Sequence, residues 1–170
     1  VTLSATSANA GVIGFADIVV DYFESDNGTL DCPEGQGGAF PPPATIPRCV
    51  PLSVVLGDDP ASPTESNPAD YLSLPLGSFI TVGFAQAVLI DGPGPDLFLQ
   101  EVGNAFERAD IFVSSFLSTD PLDFAFLGQA DGNTISSFDL SDIGFSAPVR
   151  AVKILSLDNG GAPGAPGFDL

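Results

Sequence analysis

The chain has 170 residues, 44% of them hydrophobic and 14 of them Phe, which is material for one domain with a sizeable core and too apolar for intrinsic disorder. Against 22 Asp and Glu stand four basic residues, Arg48, Arg108, Arg150 and Lys153, and the net charge of −18 repels nucleic acid phosphates and anionic lipid heads. There is no His, which removes Ser-His-Asp and Cys-His catalysis and histidine metal sites, and no apolar run approaches the ~20 residues of a membrane-spanning helix.

Met is also missing, even at position 1, which predicts that an N-terminal segment such as a signal peptide has been removed. The chain divides into an arm, residues 1–13, and a single domain, residues 14–170. In the arm Val1, Leu3 and Ala5 alternate with Thr and Ser and carry no charge. Such a segment is expected to add as a strand to the sheet edge of a neighbouring copy. A frayed terminus is the competing view.

The first strand is expected at 12–23. Residues 24–51 are a long Pro-rich and Gly-rich loop in which Cys32 and Cys49 flank Pro41-Pro42-Pro43. A disulfide closing that loop would stabilise by roughly 3 kcal/mol in the chain-entropy model and implies an oxidising compartment; two free thiols is the alternative. Further strands follow at 53–56, 71–74, 78–84 and 87–90, with a second loop at 57–70. Within 78–84, Ile80, Val82 and Phe84 share one face, and Phe79, Thr81 and Gly83 the other.

Next comes the turn Asp91-Gly-Pro-Gly-Pro-Asp96, which leads into a strand at 96–102 ending beside Glu101. The run Phe106-Glu-Arg-Ala suggests one helical turn, as does Leu140-Ser-Asp-Ile. Strands are expected at 109–115, 124–127, 136–140 and 149–155. With 19 Gly and 16 Pro punctuating short runs of Val, Ile, Phe and Leu, the pattern predicts an all-β fold, an antiparallel β-sandwich.

Carboxylates beside rigid Gly and Pro turns suit a hard cation with oxygen ligands, Ca²⁺. The candidate ligands are Asp91, Asp96, Glu101, Asp158 and Asp169. Solvated turn formation is the other reading of each Asp. No EF-hand is present, since Asp131-Gly-Asn133 lacks the remaining ligand positions. A carboxylate pair is the one catalytic chemistry left, as in glycosidases, but no pair stands out and there is no Trp platform. The expectation is a protein that is not an enzyme.

In order along the chain stand Ala16-Asp-Ile-Val-Val-Asp-Tyr22, Val55-Leu-Gly57, Tyr71-Leu-Ser-Leu74, Gly77-Ser-Phe-Ile-Thr-Val-Gly-Phe84, Ile90-Asp-Gly-Pro-Gly-Pro-Asp-Leu97 with Glu101, Ala109-Asp-Ile-Phe-Val-Ser114, Phe126-Leu-Gly128, Phe138-Asp-Leu140, Val149-Arg-Ala-Val-Lys-Ile154 and Gly167-Phe-Asp-Leu170. Over about residues 15–170 this resembles secreted bacterial cell-surface proteins of the kind that often carry a PEP-CTERM-type sorting tail. The resemblance implies a galactose-binding-like jelly roll that is extracellular, non-enzymatic and calcium-stabilised. The chain departs from that pattern in its Cys32–Cys49 loop, its added arm and its stop at Gly-Phe-Asp-Leu.

The function expected is an extracellular structural or surface subunit that assembles with copies of itself into a fibre or matrix. It has no nucleic acid partner and no membrane insertion. The alternative is a carbohydrate-binding module that recognises glycans through Phe40, Tyr71, Phe116 and Phe145.

Overall fold

In this computed structural model residues 14–25, 35–37, 48–57, 71–103, 105–158 and 167–170 are described. They form an all-β, antiparallel sandwich. One sheet has five strands: β1 (Ile18–Phe23), β5 (Phe79–Gly83), β10 (Ala151–Ser156), β7 (Arg108–Ser114) and β8 (Ala125–Asp131), in that spatial order. The second contains β11 (Phe168–Asp169), β4 (Ser73–Leu74), β2 (Gly35–Gly37) and β3 (Arg48–Val50), again in spatial order. A separate pair, β6 (Leu97–Gln100) and β9 (Ile135–Phe138), completes the fold.

The two-residue alternation of β5, β7 and β10 places β-branched side chains on one face in matching register. Val82 lies opposite Val152, which lies opposite Val113; Ile80, Ile154 and Ile111 form the next row. All six are buried. Branched side chains are stiff and pack well on a pleated surface, and each fully buried one stabilises by about 1.5–3 kcal/mol. Leu74 and Phe168 from the second sheet, Leu72 just before β4, and Leu99 and Phe138 from β6 and β9 join the same core.

The opposite face of the five-stranded sheet mixes aromatic and charged groups. One row across it reads Phe23, Phe79, Leu155, Asp110 and Gln129, and the next Asp21, Thr81, Lys153, Phe112 and Phe126. The Phe23 and Phe79 rings stack at 5.8 Å, and the Lys153 Nζ sits 3.6 Å from the Phe79 centroid. Burial pushes the Lys153 pKa down, opposed by the nearby Asp21 carboxylate. Phe112 and Phe126 meet edge to face at 5.5 Å. Where β5 leaves the sheet, the Asp17 carboxylate accepts from Ala85 N at 2.7 Å and Gln86 N at 2.9 Å, and these bonds hold its pKa below the usual value.

Several local features differ from the sequence reading. Residues 53–56, expected as a strand, belong to a 3-10 turn, Leu52–Val55, that follows Pro51. Proline fixes φ and the turn leaves Leu52, Val54, Val55 and Leu56 packed on the core from outside the sheets. Residues 87–90 make a single bridge, Leu89 to Val149, rather than a strand. The expected helical turn at 106–109 is not formed, because Arg108 and Ala109 already pair with β8. The turn at Leu140–Ile143 is present and capped by Asp139. Strands β2, β3 and β11 were not anticipated; with two or three residues each they are too short to leave an alternating pattern to read. The arm 1–13 and Cys32 lie outside the described residues.

Strand β11 returns along β4 through reciprocal bonds, Leu72 N to Leu170 O at 2.7 Å and Leu170 N to Leu72 O at 2.9 Å. Gly167, at φ +95°, makes this approach: an added Cβ would lie 1.8 Å from Leu74 O. Gly57 has φ +90° with open space around it. Gly57→Ala should therefore cost only the left-handed strain, about 1 kcal/mol. Gly167→Ala should cost clearly more, because the Leu74 backbone must move. Urea denaturation of the two variants compares them directly, and equal losses would contradict the close packing of β11.

Candidate metal centre

Strand β6 has acidic groups at each end, and the two ends differ. At its start, Asp96 Oδ1 accepts from Gly92 N at 2.8 Å and Oδ2 from Leu140 N at 2.9 Å. The first bond closes the Gly-Pro-Gly-Pro turn on itself. The second ties that turn to the 3-10 turn after β9, which Asp139 caps through Ser141 N at 2.9 Å. Asp91, Asp96 and Asp139 bring carboxylate oxygens within 4.8 Å of one another, with Asp91 exposed and the other two half-buried. Asp96 is thus a turn-forming residue first, as hydrogen-bonding geometry requires of an Asp beside breakers.

At the far end of β6 the carboxylates of Glu101, Glu107 and Asp169 also lie within 4.8 Å of one another, and all three residues are at least 97% buried. Glu101 follows β6, Glu107 precedes β7, and Asp169 belongs to β11. Glu101 Oε1 accepts from Gly103 N at 2.6 Å and Asp169 N at 3.3 Å, and Oε2 from Asn133 N. Ser73 Oγ donates to Asp169 Oδ1 at 2.5 Å. Gly103 sits directly against the cluster: a Cβ there would lie 2.0 Å from Glu107 Oε2 and 2.4 Å from Glu101 Oε1.

Buried like charges this close repel one another, and a cation among them would offset that repulsion. Two of the four basic side chains are engaged elsewhere. Arg108 pairs with Asp158 at 3.0 Å, and Lys153 covers Phe79. Oxygens around Ca²⁺ stand 2.3–2.6 Å from the ion, so any two lie at most about 5 Å apart. The oxygen set and its spacing fit Ca²⁺, with no nitrogen or sulfur to favour a transition metal.

Of the five ligands expected from sequence, Glu101 and Asp169 come together, and Asp91 and Asp96 come together at the opposite end of β6. Asp158 joins neither group, since it is drawn into the ion pair with Arg108. Glu107 and Asp139 were missed. For Glu107 a signal existed: positions 107, 109, 111 and 113 all point into the core, so this Glu continues the buried face of β7. For Asp139 the signal is a repeat. Phe138-Asp-Leu140 and Phe168-Asp-Leu170 share one tripeptide, and each places its Asp at one end of β6. Among the aromatics considered for glycan stacking, Tyr71 is buried, Phe145 packs against the core, Phe116 is exposed and Phe40 lies outside the described residues.

Fold and site together define an antiparallel β-sandwich with a solvent-facing and a buried carboxylate cluster. No protein-family model matches the chain, and no curated protein or solved structure matches it. Among the described residues no helix is long and apolar enough to cross a membrane.

The geometry sets two mutations apart. Gly103→Ala forces a methyl group into the carboxylates and should lower stability by about 1–3 kcal/mol, as overpacking of a tight interior does. Asp158→Asn removes an exposed ion pair and should change stability by less than about 1 kcal/mol. Chemical denaturation of both variants measures the contrast.

Proposed function

We propose that the protein is an extracellular structural subunit of a cell surface or matrix, a non-enzymatic β-sandwich stabilised by Ca²⁺ at Glu101, Glu107 and Asp169. The observation that carries this reading is the buried meeting of three carboxylates, two from the connection between β6 and β7 and one from β11. A cation there would tie β6, β7 and β11 together and offset the repulsion among them. The net charge of −18 and the likeness of the sequence to secreted jelly-roll surface proteins favour the same reading. The half-exposed group of Asp91, Asp96 and Asp139 offers a second, weaker cation position.

A site held at 100 times its dissociation constant adds about 2.7 kcal/mol. In a domain of this size excess chelator should therefore lower the melting temperature by about 5–10 °C. Glu107→Gln, which keeps the shape and removes a charge, should melt at one temperature with or without Ca²⁺. A wild-type melting curve that chelator leaves unchanged would overturn calcium stabilisation.

An extracellular location is accompanied by a Cys32–Cys49 disulfide in this reading. Cys49 lies on β3 opposite Gln36 and is not a free thiol, while Cys32 is outside the described residues. Intact mass after alkylation without reductant should show no added label. Two labelled thiols on the native protein would place it in a reducing compartment instead.

Self-assembly completes the proposal, and its support is the sequence of residues 1–13, where Val1, Leu3 and Ala5 alternate along an uncharged segment. Donation of that arm to the next copy is head-to-tail and does not close, so it builds fibres. Protein lacking residues 1–13 should remain a folded monomer in sedimentation. Polymers indistinguishable from those of the full chain would remove the arm from the mechanism.

A further inference from the structure

We draw no further inference here: the strongest candidate, the outer face of the five-stranded sheet where Phe23, Phe79, Phe112 and Phe126 lie around Lys153, is an apolar patch for which nothing in the structure shows what covers it.

Discussion

Glu101, Glu107 and Asp169 reach one buried place from the end of β6, the approach to β7 and the short strand β11. Charge repulsion at that distance is severe in a low-dielectric interior, while each carboxylate has lost most of its water. Backbone donors meet part of that cost at Glu101, and the Ser73 hydroxyl meets part of it at Asp169. The position of β11 depends on the outcome, because its two residues contribute one buried aromatic side chain, Phe168, and one of the three charges. Glycine at 103 adds no side chain here; an added Cβ would force the Glu101 and Glu107 oxygens to shift.

The apolar core supplies the rigid frame in which such a cluster can be held. Rows of Val and Ile across β5, β10 and β7 lock the register of the central strands, and a one-residue slip of any one strand would turn its two side chains in these rows outward. From that frame β7 extends its buried face back to Glu107. The β6–β9 pair, joined to the core by Leu99 and Phe138, carries Glu101. Acidic residues thus lie at both ends of β6 for different local reasons. At one end they close and cap turns near solvent; at the other they converge inside the protein.

Charge distribution separates these roles further. Asp17, Asp96 and Asp139 each accept backbone hydrogen bonds at points where the chain turns, which is common service for a short carboxylate. Asp158 is neutralised by Arg108 at the surface. The buried cluster has a different character because burial, and not local turn geometry, makes its charges costly.

The all-β class, the alternating inner faces of β5 and β10, and the excess of acidic oxygen were determined by the sequence alone. Each is a local or compositional property: period-two apolar patterning, frequent Gly and Pro, and 22 acidic against four basic residues. Single-residue cues even pointed to Asp91, Asp96, Glu101 and Asp169. Which carboxylates meet was decided only in three dimensions. Glu107 joins Glu101 because a strand rather than a helical turn begins at Arg108, and Asp169 joins them because β11 pairs with β4, nearly a hundred positions earlier in the chain. Asp158 leaves the set because Arg108 lies within reach across the fold. Long-range strand pairing leaves no mark on local sequence, so which of the candidate carboxylates meet becomes known only when the strands are in place.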